Sequence, residues 1–108
     1  MSKSPPGIEV VPLSGRLDYQ NAQEVRQQLL EIVSSGNNRL VIDLTTVDFI
    51  DSSGLGALVG GLKAARAAGG GLVLASPQDQ ARMVLALTTL DRLLKYHPTI
   101  EEAEAALV

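Results

Sequence analysis

The chain has 108 residues, 45% apolar and 19% charged, and a net charge of −3. That length holds one domain around one core, the composition excludes a disordered chain, and the acidic balance argues against non-specific nucleic-acid binding. The complete lack of cysteine excludes disulfides, thiolate nucleophiles and Cys-ligated metal.

Taken in chain order, Met1–Pro6 lead into no signal-peptide core, and no apolar run is long enough to span a bilayer. The expectation is a cytoplasmic protein without a membrane partner, whose residues 1–6 form a short tail or the remnant of a strand. Tyr19, Phe49 and Tyr96 are the only aromatics, so the core must be built from Leu, Val, Ile and Ala. Gly7-Ile-Glu-Val-Val-Pro-Leu13 reads as a strand ending in the Gly15–Asp18 loop. Pro12 brings no N–H to a ladder, which predicts an edge or an irregularity there. A helix follows from about Asn21, where Asn21 and Glu24 have capping-box spacing. Its apolar stripe is Ala22, Val25, Leu29, Ile32 and Val33, and Gly36-Asn37-Asn38 supplies the exit.

Arg39–Leu44 is a nearly continuous apolar run, as expected of a strand covered on both faces. Val47–Asp51 follows Thr45-Thr46, and a second helix opens at Ser52 with Leu55, Leu58, Val59, Leu62 and Ala65 on its buried side. Gly69-Gly70-Gly71 ends that helix and leads into the strand Leu72–Ala75. Ser76 is placed to cap a third helix with Pro77 at its first position and Met83, Val84 and Leu87 on its inner side. Leu93–Tyr96 reads as a last short strand. Thr99-Ile-Glu-Glu102 is a capping box for a final helix to about Leu107. The alternation predicts an α/β fold: one domain over residues 7–108, with a mostly parallel sheet of four to five strands and about four helices.

The segment Asp48–Gly56 carries the functional signal. It delivers Ser52 and Ser53 to the start of a helix just after a strand, where free N–H groups and the dipole favour a phosphate. The alternative is that one serine is only the N-cap. Asp48 and Asp51 bring carboxylates close to the serines, which a dedicated cap does not need. Gly54 and Gly56 cost about 0.8–1.0 kcal/mol each relative to alanine in a helix. Close approach of a partner would account for them, and so would tight packing on the domain's own sheet.

Asp51-Ser-Ser-Gly-Leu-Gly56, with Asp48, Leu13-Ser-Gly-Arg-Leu-Asp18 and Leu90-Asp-Arg-Leu-Leu94, resembles the STAS domains, and among them the free-standing anti-sigma factor antagonists. The resemblance runs from about Gly7 to the C-terminus. It implies a non-catalytic switch protein in bacterial signal transduction and transcription regulation. Its phosphorylation site would be Ser52, with Asp51, Ser53, Asp48, Gly54 and Gly56 as neighbours. The implied partners are a serine kinase of the histidine-kinase-like ATPase fold, which doubles as the anti-sigma factor, and a protein phosphatase. Gly15, Arg16, Asp18 and Leu55 are the candidate partner contacts. For Asp18 the alternative is capping the first helix.

Two departures from the family pattern stand out. An N-terminal strand common in the family has only Met1–Pro6 to supply it, which leaves an open sheet edge through which a homodimer could form. Where the family often has Thr-Gly-Leu, this chain has Thr88-Thr-Leu90, so Thr89 must distort the turn or carry strain.

Three rival readings compete with this one. Gly54-Leu-Gly-Ala-Leu-Val-Gly60 approximates a dinucleotide fingerprint, but the next strand ends in Ala75-Ser76 with no acid for a ribose, which leaves a nucleotide or anion module as a weaker alternative. A hydrolase is disfavoured because Asp51 stands where a nucleophile elbow needs glycine. The single histidine, His97, precedes Pro98 in a turn and suits neither a general base nor a metal site. The third is a scaffold or self-associating subunit of a larger signalling assembly. No cofactor, metal or nucleic acid is expected.

Overall fold

The computed structural model describes residues 7–108. Its elements run β1 (Ile8–Leu17), α1 (Ala22–Ser34), β2 (Arg39–Ile50), α2 (Ser52–Ala67), β3 (Gly71–Ala75), α3 (Asp79–Thr88), a 3-10 turn (Leu90–Arg92), β4 (Tyr96–His97) and α4 (Ile100–Leu107). The four strands form one parallel sheet in the order β1-β2-β3-β4. Parallel crossovers are right-handed almost without exception. With the strand order advancing in a single direction, α1, α2 and α3 must therefore all fall on one face. Leu29, Leu58 and Leu85 of these helices accordingly share the main core with Leu40, Ile42, Leu72 and Leu74 of the sheet. The opposite face carries a smaller cluster of Ile8, Val41, Val73 and Ala75, closed by Ala103 of α4. With both faces covered, the unbroken apolar run Leu40–Ile42 is fully buried, as its sequence implies.

The expected α/β architecture is present with four strands and four helices. β1 lies at the edge, and its register with β2 slips between Pro12 and Ser14, where the missing N–H of Pro12 predicts irregularity. The proposed tail or remnant strand of residues 1–6 lies outside the described residues. The apolar stripes of α1 and α2 pack as expected. Thr99 caps α4 by accepting the Glu102 N–H at 3.1 Å.

Several local expectations are corrected. β1 does not stop before Gly15 but runs to Leu17, and β2 is one 12-residue strand rather than two segments. Each sustains the other, since Ser14, Gly15, Arg16 and Leu17 pair with Thr46, Val47, Phe49 and Ile50. Asn21 occupies the cap position of α1 but forms no capping box. Its side chain is turned back into the loop, where Oδ1 accepts the Asp18 N–H at 2.9 Å and Nδ2 donates to the Arg16 carbonyl at 2.7 Å. Ser76 does not cap α3. Its backbone is left-handed at φ 55°, and its hydroxyl donates to the Pro98 carbonyl. α3 therefore starts later, at Asp79. The inner side of α3 is Ala81 and Leu85 with Val84 partly buried, while Met83 and Leu87 are 61% and 77% exposed. The last strand is only Tyr96–His97, because the preceding residues are held in a turn by Leu93 and Leu94 N–H bonds to the Leu90 carbonyl.

Thr89 adopts φ 58° and ψ 8°, the left-handed conformation in which a β-branched residue is strained. Thr89→Gly is expected to stabilise the protein by about 1 kcal/mol, the relief of strain outweighing glycine's greater unfolded-state freedom. A rise in the melting temperature of a few degrees checks this. A fall would mean that the Thr89 side chain contributes more than its backbone costs.

Candidate functional site

The Asp48–Gly56 segment sits where β2 leaves the sheet. Ile50 is the last residue of β2, fully buried and paired with Leu17. The Asp51 N–H donates to the Leu17 carbonyl at 3.2 Å, so β1 holds the chain up to the point where α2 begins. Asp51 then takes an extended backbone and caps the helix, Oδ1 accepting the Gly54 N–H at 2.9 Å. Its other oxygen accepts the Tyr19 N–H at 3.1 Å. One carboxylate therefore fixes both the start of α2 and the loop between β1 and α1.

This arrangement takes the capping role away from the serines. The cap is Asp51, not a serine. Ser52 and Ser53 are the first two residues of α2, both exposed, and neither hydroxyl is engaged by another described residue. Asp48 is also exposed at the end of β2 and has no ion-pair partner among the described residues.

The two glycines separate just as clearly. Gly54 is buried, and a Cβ there would stand 2.3 Å from the Leu17 carbonyl oxygen. Its small size serves packing within the domain. Gly56 is exposed, and a Cβ would meet nothing within 4 Å. All three glycines of the Gly54–Gly60 pattern lie inside α2, so they form no phosphate-wrapping loop.

The candidate partner contacts divide by burial. Gly15 and Arg16 are exposed. The Arg16 guanidinium lies 4.1 Å from the centroid of the Phe49 ring, and its Nε donates to Asp18 at 3.2 Å. Asp18 itself is only 6% exposed. Its other carboxylate oxygen accepts the Gln20 N–H, and its carbonyl accepts the N–H groups of Asn21 and Ala22. It is a loop-fixing residue that positions Arg16. Leu55 is buried completely in the core, which corrects its assignment to the partner surface: the first turn of α2 rotates it inward beneath the serines.

One contributor has no signature in the sequence. β3 pairs only with Arg39–Asp43, which leaves the far half of β2 without a neighbour on that side. Two glutamines near the start of α3 fill the gap. The Gln78 amide donates to the Thr45 carbonyl at 2.8 Å. Gln80 pairs twice with Ile50, accepting its N–H at 2.8 Å and donating to its carbonyl at 2.9 Å. Gln80 thus imitates a strand residue immediately before the serines.

Beside the serines, a cleft of about 550 Å³ opens between α1 and α2. No group of three or more His, Asp or Glu among the described residues is placed to hold a metal ion. None of the described helices is long and apolar enough to cross a membrane.

Comparison with known proteins agrees with this fold. The STAS domain family model matches residues 1–103. A Thermotoga maritima protein with a provisional anti-sigma factor antagonist name is 38% identical over 88 residues, covering 81% of this chain and 78% of the relative. The anti-sigma-B factor antagonist of Bacillus subtilis is 30% identical over 84 residues, covering 78% and 76%. A crystal structure from Thermotoga maritima, provisionally described in the same terms, superposes with a TM-score of 0.88 at 31% identity, covering 97% of this chain and 91% of the other.

Proposed function

The chain belongs to the STAS domain family, and from that premise we propose that it is an anti-sigma factor antagonist switched by phosphorylation of Ser52. Unphosphorylated, it binds a serine kinase that doubles as the anti-sigma factor. Phosphorylated, it releases that partner until a phosphatase restores the hydroxyl. The observation that carries this reading is the division of labour at the start of α2. Asp51 supplies the cap, so the exposed Ser52 hydroxyl has no structural duty.

A phosphate on Ser52 adds about −1.5 to −2 charges. The fold tolerates it because Ser52 is exposed and the helix dipole favours an anion at that end. Its effect falls on the interface. The phosphate adds bulk and, beside Asp51, concentrates negative charge on a surface shaped for a neutral hydroxyl. The exposed residues Gly15, Arg16, Asp48, Ser53 and Gly56 make up the rest of that surface, with Asp18 beneath it.

Ser52→Ala is expected to keep the partner, and Ser52→Asp to weaken binding by about tenfold, although one carboxylate imitates a phosphate poorly. Affinity capture from lysate with the two baits, followed by binding measurements on the recovered kinase, provides the check. Equal and strong binding by both baits would remove phosphorylation control from the model.

A second reading is a self-associating scaffold. It is favoured by the outer edge of β1, which has no strand partner among the described residues. Sizing at several concentrations separates the two, because a switch acting on a different protein has no need to self-associate.

A further inference from the structure

We propose that the α1–α2 cleft is a docking groove for an acidic segment of the partner protein, with Arg26 and Lys63 receiving its carboxylates. The inference rests on the docking face proposed above and adds the chemistry of what the partner inserts.

The cleft runs along one side of α2, from Ser53 and the exposed Tyr19 at the phosphorylation end to Gly60 and Lys63 at the other, with Arg26 reaching in from α1. The positions Ser53, Gly56, Gly60 and Lys63 are three or four residues apart and so share one helix face. At 1.5 Å of rise per residue, the face extends about 15 Å from Ser53 to Lys63. That length suits about four or five residues of extended chain.

The electrostatics of the groove oppose those of the whole molecule. The chain carries 12 acidic and 9 basic residues, yet no carboxylate lines this cleft. Among the described residues, neither Arg26 nor Lys63 forms an ion pair. Glu24 lines a neighbouring cleft along α1 that Arg26 also borders, but no ion pair joins the two.

Arg26 is also placed in advance. A Cβ at Gly60 would stand 2.7 Å from Arg26 Nε and 3.2 Å from its Cδ, so the arginine rests directly on the α2 backbone where a side chain is missing. An arginine laid down in this way loses less freedom when a carboxylate arrives. Gly56 keeps the floor of the groove open.

The geometry also gives the switch a direct target. Ser52 lies outside the cleft lining but directly precedes Ser53 at its mouth, so a phosphate there stands close to the incoming acidic segment and repels it. Asp48 and Asp51 lie outside the cleft lining. Acids around the serines and bases along the groove thus fix which way round the partner docks.

Zero-length carbodiimide cross-linking of the unphosphorylated full chain in lysate from the source cells tests this, with cross-linked sites located by mass spectrometry. The reagent joins an amine only to a carboxylate in contact with it. Lys63 is expected to be joined to an Asp or Glu of a partner protein. Arg26→Glu should lower that yield by about tenfold while Arg26→Lys retains it. Circular dichroism shows whether each variant is folded, and Arg26→Gln stands in if the reversal is not tolerated.

Absence of a Lys63 adduct in the wild type would overturn the proposal. So would an adduct indifferent to loss of the Arg26 charge in a folded variant. An adduct that persists undiminished in Ser52→Asp would support the groove while refuting phosphorylation control, so the two ideas fail separately.

Discussion

Gly54→Ala is expected to destabilise the protein by about 3 kcal/mol, whereas Gly56→Ala, two residues along the same helix, is expected to stabilise it by about 1 kcal/mol. At Gly54 the new methyl would lie 2.3 Å from the Leu17 carbonyl oxygen and 2.8 Å from its Cγ. Neither can withdraw easily. That carbonyl accepts the Asp51 N–H, and Leu17 is paired to Ile50 in the sheet and buried. Relief requires the first turn of α2 to move away from β1, which pulls on the Asp51 cap and its bond to Tyr19. At Gly56 there is open space, so only the intrinsic helix preference of alanine remains. Urea titrations of both variants provide the measurement. Opposite signs are expected, and equal shifts would refute the packing account of Gly54. In the proposed interface Gly56→Ala has a second effect: a more stable domain that binds its partner less well, because the methyl narrows the groove.

Features governed by nearby residues were legible in the sequence. Thr99 caps α4 because the whole motif lies within four residues and nothing distant competes for the hydroxyl. The apolar stripes of α1 and α2 likewise identify their buried faces. Expectations failed where a group outside the helix took over. Asn21 has the right spacing for a cap, but Arg16 and Asp18 at the end of β1 claim its amide. Ser76 is bound by the turn after β4 rather than by the helix that follows it.

In α3 the crowded run Met83, Val84, Leu85 and Leu87 fits more than one helical register. The sheet selects Leu85, a choice that pattern alone does not make. At the site itself, the motif located the segment but not the roles within it. That Asp51 rather than a serine is the cap, and that Leu55 points inward while Gly56 points out, depends on where α2 begins to a single residue.

Gln80 shows the limit most plainly, and its replacement is the other large effect. Gln80→Leu is expected to cost about 2–4 kcal/mol, because it strands two backbone groups of a fully buried residue at once. Neither group has another strand to turn to, since β3 has already ended beside Asp43. The damage should be local first. The Ile50 amide should exchange with solvent faster than its neighbours in β2, and the loosening should pass through Asp51 to the serines.

Gln80→Glu provides a sharper control. An ionised carboxylate still accepts the Ile50 N–H but faces the Ile50 carbonyl with a second acceptor. A protonated one restores both bonds, because its hydroxyl donates where the amide did. The folded state therefore favours the neutral acid, and the folded pKa of this glutamate should exceed its unfolded value of about 4.3. The stability supplied by the neutral form should be fully present below that unfolded value and disappear as pH rises through the folded pKa. The deficit of Gln80→Glu relative to wild type should therefore be large at pH 7 and shrink towards pH 4, while the deficit of Gln80→Leu should not change in this way. Parallel behaviour of the two variants would show that Gln80 acts by filling space, and that the bidentate pairing with Ile50 does not hold the end of β2 in place for Ser52.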